Sequence, residues 1–203
     1  MIVKDIRALL QTLNDSCTKV LERAVGACVS RGHYEVRWEH LFIEFLELQQ
    51  NDTVLILNHF NIDTAHLRKA IQKDLESFKS GNTGKPSFSP PFLEAIECAW
   101  SYASLNYGLP KVTSGTLFIA ALEKSQMALS LSSEFLRKID LETLKSNFLK
   151  IVASSVEYSG GGSAAKPGEA SGMTSEAGLE ILTQFCTNFT EQAKSGKIDP
   201  ILG

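Results

Sequence analysis

Apolar side chains recur at helical spacing through most of the first 153 positions. In "CTKVLERAVGACV", which begins at Cys17, the residues Cys17, Val20, Ala24 and Ala27 fall at i, i+3, i+7 and i+10, the spacing of a helix that buries one face. An earlier stretch, "IVKDIRALLQTL", puts Ile2, Ile6, Leu9, Leu10 and Leu13 on one side and predicts an amphipathic helix over residues 2–13. Start signals punctuate the pattern. Ser89 precedes Pro90-Pro91, an N-cap followed by proline at the first helical position, and Ser114 precedes the apolar run "TLFIAALE". Asp63 and Asp140 each stand ahead of a further helical run. No segment alternates apolar and polar residues with period two, so the pattern predicts an all-α body.

The pattern occurs twice. "CTKVLERAVGACVSRGHYEVRWEHLFIEFLE" from Cys17 aligns without a gap on "LEAIECAWSYASLNYGLPKVTSGTLFIAALE" from Leu93, which sets Cys17, Val20, Ala24 and Ala27 on Leu93, Ile96, Trp100 and Ala103. His40-Leu41-Phe42 then meets Thr116-Leu117-Phe118, and "NIDTAHLRK" from Asn61 matches "KIDLETLKS" from Lys138 after one inserted residue. Two copies of about 76 residues therefore follow one another, each a bundle of short helices, with repeats about 14–80 and 88–153 and the loop "GNTGKPS" between them. The helix over 2–13 belongs to neither copy. It either packs on the core or forms one wall of a groove for a partner's apolar helix.

From Ser154 to about Ser175 the chain turns to Gly, Ser and Ala, with almost no large apolar side chain. Such a segment buries too little surface to offset its ordering entropy, and as a coil of about 22 residues it spans roughly 25 Å. The sequence thus predicts one body over 1–153, a flexible linker over 154–175, and the start of another module over 176–203.

Composition narrows the function. A hydrophobic content of 43% suits a chain that buries a core, and a formal net charge of −3 offers no basic stripe for phosphates, which argues against nucleic acid as partner. Cys17, Cys28, Cys98 and Cys186 form no C-x-x-C pair and read as reduced core residues, which fits a cytoplasmic setting. No apolar run reaches the length of a membrane span. Gly84-Lys85 is followed by Pro86, so the phosphate-binding G-x-x-x-x-G-K-[ST] is absent. The histidines do not stand at metal-ligand spacing, and no G-x-S-x-G elbow occurs. His40 reads as a structural histidine at a helix start. The residues name no catalytic group and no metal site, and this span is expected to be no enzyme and to carry no cofactor.

With "EHLFIEFLE" in the first copy, the double repeat resembles the N-terminal domain of Clp-type AAA+ proteins. The tail "LTQFCTNFTEQAKSGKIDPILG" is similar to the Clp segment that leads into the first ATPase module, with Leu182, Phe185, Asn188, Phe189, Thr190, Ala193 and Gly196 through Gly203 fitting that pattern. The extra first helix and "PSFSPPFLEAIECAWSYAS" resemble the ClpV branch, the ATPases of bacterial type VI secretion. The resemblance implies two four-helix bundles related by a pseudo-two-fold, with an extra N-terminal helix. In the full-length protein it implies a homo-hexameric ATPase using ATP and Mg, with Ile201, Leu202 and Gly203 beside the nucleotide. The implied partner is a contracted sheath subunit, small or large, presenting an N-terminal amphipathic helix. A general Clp chaperone domain for unfolded or adaptor-delivered proteins is the alternative.

By the same resemblance the partner helix docks between the extra N-terminal helix and the start of the second repeat. The candidate lining residues are Ile6, Leu10, Leu13, Cys17, Phe88 and Phe92. "FSPPF" sets Phe88 and Phe92 on either side of a proline-rigidified helix start, where the rings serve either as groove anchors or as core between the repeats.

Overall fold

The first repeat opens where the Asn14 side chain accepts a hydrogen bond from the Cys17 N–H at 2.7 Å and so caps α2 (Asp15–Ser30). The computed structural model describes residues 6–123 and 133–159. Helix α2 ends in a Schellman turn. Gly32 takes φ of 65°, its N–H reaches the Val29 carbonyl at 2.9 Å, and the His33 N–H reaches that of Cys28 at 3.0 Å. The chain then runs through the two-residue strand β1 (Glu35–Val36) into α3 (Trp38–Phe45), α4 (Asp52–His59) and α5 (Thr64–Glu76). Asn61, with φ of 54°, closes α4 by the same turn. The second repeat starts at β2 (Ser87–Phe88) and continues through α6 (Pro90–Ser101), a π-helical turn over Tyr102–Asn106, α7 (Ser114–Glu123), α8 (Ser133–Leu136) and α9 (Leu141–Ile151). Short helices α1 (Ile6–Leu10) and α10 (Val156–Ser159) flank the two repeats.

The pseudo-two-fold is visible in two matching main-chain contacts. Val36 pairs in parallel with Phe88, and the Ser89 N–H donates to the Val36 carbonyl at 3.1 Å. Val112, the counterpart of Val36, pairs in parallel with Leu13, and the Asn14 N–H donates to the Val112 carbonyl at 2.9 Å. Each repeat therefore grips the residue that leads into the other repeat's first helix. These short strands were not legible as alternation, because two residues are too few for period two to register.

Burial corrects the gapless alignment. In α2 the buried residues include Cys17, Val20, Leu21, Ala24 and Cys28, and in the second repeat Phe92, Ala95, Ile96, Ala99 and Ala103 take their places, a spacing of 75 rather than 76. Trp100, expected in the buried stripe, is 36% exposed. The π-helical turn absorbs the extra residue, after which α3 and α7 align as expected. The last helices agree throughout: Ile62, Leu67 and Ile71 correspond to Ile139, Leu144 and Phe148, all buried.

The capping residues Asp63 and Asp140 stand where the sequence predicts, Asp63 accepting from the Ala65 and His66 N–H groups and Asp140 from that of Glu142. Ser89 holds its N-cap position without a side-chain cap bond. For α7 the capping exchange belongs to Thr113 rather than Ser114: the Thr113 N–H donates to Thr116 Oγ1 at 3.0 Å, and the Thr116 N–H donates to Thr113 Oγ1 at 3.4 Å. The body also extends past its expected limit, since residues 154–159, predicted as linker, contain α10 packed on the repeats. The tail segment 176–203, with Ile201, Leu202 and Gly203, lies outside the described residues.

Candidate partner-helix site

Helix α1 is held to the second repeat. Thr12 and Asn14 bracket the Leu13–Val112 bridge, the Val112 N–H donates to the Thr12 carbonyl at 2.8 Å, and the Lys111 ammonium reaches the Gln11 carbonyl. The helix ends at Leu10, short of the predicted residue 13, because Thr12 turns its carbonyl to Val112 and its hydroxyl to the Leu9 carbonyl at 2.7 Å, while residues 2–5 of the predicted span lie outside the described residues. Thus anchored, α1 packs along α6.

The six candidate lining residues separate into two kinds. Leu10 and Cys17 are 1% exposed, Leu13 is 5%, Phe88 is 8% and Phe92 is 1%, whereas Ile6 is partly open. The expectation of an open groove lined by these side chains is therefore corrected for five of them, which are core. The physical reason is the pseudo-two-fold. Leu13 corresponds to Phe88 and Cys17 to Phe92, so four candidates are two symmetric pairs that close the seam between repeats.

An aromatic chain runs through that seam. Phe88 stacks on Phe92 with centroids 5.7 Å apart, Phe92 meets Trp38 of α3 edge-on at 4.9 Å, Trp38 stacks on Phe42 at 5.4 Å, and Phe42 meets Phe118 of α7 at 5.4 Å. Burial pushes the Cys17 thiol well above its usual range, with the Glu157 and Asp52 charges adding, so Cys17 stays a neutral thiol.

What α1 and α6 offer to solvent is different: part of Ile6 and Leu93, together with Ala8 and Trp100. Sequence reasoning missed Leu93 and Trp100 because the one-residue phase error placed both inside. Among the described residues no group of three or more His, Cys, Asp or Glu stands where it could hold a metal, and no helix is long and apolar enough to cross a membrane.

This arrangement can be set beside known proteins. Residues 12–139 match the Clp repeat (R) N-terminal domain. The chain belongs to that family. It is 36% identical over 207 residues to the AAA+ ATPase ClpV1 of Pseudomonas aeruginosa, covering 97% of this chain and 23% of that protein, so it spans about a quarter of the length of its relative. The solved N-domain of ClpV from Vibrio cholerae superposes with a TM-score of 0.72 at 29% identity, over 77% of this chain and 95% of that one. A ClpV N-domain in complex with a VipB peptide superposes with a TM-score of 0.69 at 26% identity, over 77% of this chain and 97% of that one. The all-α double repeat of the Clp N-domain is the fold of this chain.

Proposed function

We propose that this chain is the substrate-recognition part of a ClpV-type ATPase and binds an N-terminal amphipathic helix of a contracted type VI sheath subunit. The observation that supports it is the shared fold with a ClpV N-domain that carries a VipB peptide. The docking surface we propose is the seam of α1 and α6, where Ile6, Leu93 and Trp100 give the partner helix apolar contact and the core pairs Leu13/Phe88 and Cys17/Phe92 form a rigid floor behind them. A rigid floor favours binding, because little ordering entropy is lost on docking.

In the full-length protein we propose a cytoplasmic homo-hexamer that uses ATP and Mg to disassemble the sheath and recycle its subunits, with Ile201, Leu202 and Gly203 beside the nucleotide. The span at hand carries no catalysis in this reading. It delivers the substrate by raising its concentration at the ring.

The test is a titration of the 203-residue chain with a labelled peptide of the sheath subunit's N-terminal helix. We expect saturable binding that Ile6→Asp weakens at least tenfold with little change in melting temperature. Absence of binding by the unaltered chain would overturn the proposal. Equal affinity in a well-folded Ile6→Asp variant would move the site away from α1.

A further inference from the structure

One carboxylate gathers the starts of three helices. Glu157 of α10 accepts at Oε2 from the Asn14 side-chain amide at 2.8 Å and from the Ser114 N–H at 2.9 Å. At Oε1 it accepts from the Ser114 hydroxyl and from the Asp52 N–H at 3.2 Å. The Cys17 thiol leans on Oε2 at 3.6 Å. Asn14 caps α2, while Asp52 and Ser114 are the first residues of α4 and α7, so both repeats contribute. Unpaired N–H groups and the positive ends of helix dipoles favour an anion here.

The main chain is held as well. The Val156 N–H donates to the Gln50 carbonyl at 3.1 Å, and the Glu157 N–H donates to the hydroxyl of fully buried Ser155 at 3.1 Å. Val156 itself is 57% exposed, so polar contacts rather than apolar burial hold this segment.

One neighbour opposes the arrangement. Asp52 is 1% exposed beside Glu157, and neither of its carboxyl oxygens makes a hydrogen bond of good geometry. Burial first, and then the Glu157 charge from α10, push its carboxyl up to about 7, with the Ser155 and Thr113 hydroxyls and the Gly115 amide pulling the other way. The Cys17 thiol of α2 also faces this space, kept protonated by burial first and then by the two carboxylates. Ionising Asp52 therefore sets a second negative charge against Glu157 in a poorly solvated space.

We infer that residues 155–159 are a latch that fixes the root of the downstream chain to the body, held by Glu157 on the three helix starts and loosened when Asp52 ionises. Latched, residues 155–159 are fixed to both repeats. Released, they part from the starts of α2, α4 and α7. The two repeats also lose a bridge that spans them. The inference stands on these contacts alone and does not depend on the identity of the partner.

The sign follows from proton binding. Latched Asp52 holds its proton up to about pH 7. Release takes the Glu157 charge and part of the burial away from Asp52 and so moves its carboxyl down toward the ordinary carboxylate range, and rising pH therefore favours release until the latched form too is ionised. Hydrogen exchange of the 203-residue chain, corrected for intrinsic rates, tests this. Between pH 6 and pH 8 exchange at residues 155–159 should rise by up to about tenfold, while α9 amides stay unchanged. Asp52→Asn should remove that rise and keep the segment protected at both pH values. Glu157→Gln should raise exchange at both. If Glu157→Gln leaves exchange unaltered, or if Asp52→Asn responds to pH as the unaltered chain does, the latch is overturned. Asp52→Asn decides alone should Glu157→Gln prove too unstable to study.

Discussion

His40 and Thr116 occupy equivalent positions in the two repeats and satisfy the same orphan donor with different chemistry. The Arg37 N–H donates to His40 Nδ1 at 3.2 Å, and the Thr113 N–H donates to Thr116 Oγ1 at 3.0 Å. Using Nδ1 as acceptor obliges neutral His40 to carry its proton on Nε2, which faces His33 Nδ1 at 2.8 Å. Phe78 packs against both rings at 5.7 and 5.9 Å, with the Arg37 guanidinium over the Phe78 ring at 4.8 Å from its centroid. A histidine at this helix start reads as structural, and it is wholly buried.

The first prediction concerns this pair. Burial lowers His40 to about 3 and lowers His33 as well, so the folded protein keeps both neutral. The unfolded chain takes up protons near pH 6.5, and the pair's contribution is therefore complete above that value and shrinks as pH falls toward 3. Thermal melts should show His40→Thr costing less stability at pH 5 than at pH 7. Equal cost at both would mean the pair titrates as free imidazoles do.

Glu39 of α3 has the opposite sign. It is 6% exposed, and burial pushes its carboxyl up to about 7, with the Asp74 charge adding and Arg37 opposing. Ionised Glu39 therefore costs stability increasingly as pH climbs from about 4 to 7. Denaturant titrations should find Glu39→Gln more stable than the unaltered chain at pH 8 and closely matched to it at pH 4. A variant no more stable at pH 8 would show that the carboxylate is well compensated.

Two glycines should respond oppositely to alanine. A Cβ on Gly115 would lie 2.6 Å from Phe148 Cε2 and 2.7 Å from Asp52 Cβ, so Gly115→Ala should lose about 1–3 kcal/mol by overpacking the contact of α4 and α7. Gly26, exposed in mid-α2 with nothing within 4 Å of its would-be Cβ, should gain about 0.5–1 kcal/mol as alanine. Chemical denaturation of the two variants checks both signs.

A last prediction separates floor from surface at the proposed docking site. Phe88→Ala should cost about 3–5 kcal/mol of folding stability, since its ring is stacked on Phe92 inside the seam. Any loss of peptide binding in that variant should then follow unfolding in a parallel melt. A stable Phe88→Ala with weakened peptide binding would make Phe88 a contact residue.

Short-range chemistry made much of the fold legible. The caps at Asp63 and Asp140, the proline start of α6 and the matched stripes of α5 and α9 are decided within a few residues, and they fell where the pattern put them. The α2–α6 register did not, because "YASLN" contains no proline or glycine to announce a π turn. The site was harder. Spacing shows which face of a helix is apolar, but what covers that face depends on contacts distant in sequence, such as Leu13 on Val112 and Val36 on Phe88. Glu157 stayed hidden because its segment is poor in large apolar residues, and polar capping by a remote carboxylate leaves no periodic trace.

The π turn also bears on how the halves diverged. A duplicated unit that gains one residue in mid-helix must either rotate everything downstream by 100° or store the surplus locally. Here Tyr102–Asn106 store it, and Ala103 stays inside while Leu105 is left 84% exposed. The one-residue difference in length between the halves is thereby confined to this turn, and the register of α7 against its neighbours matches that of α3.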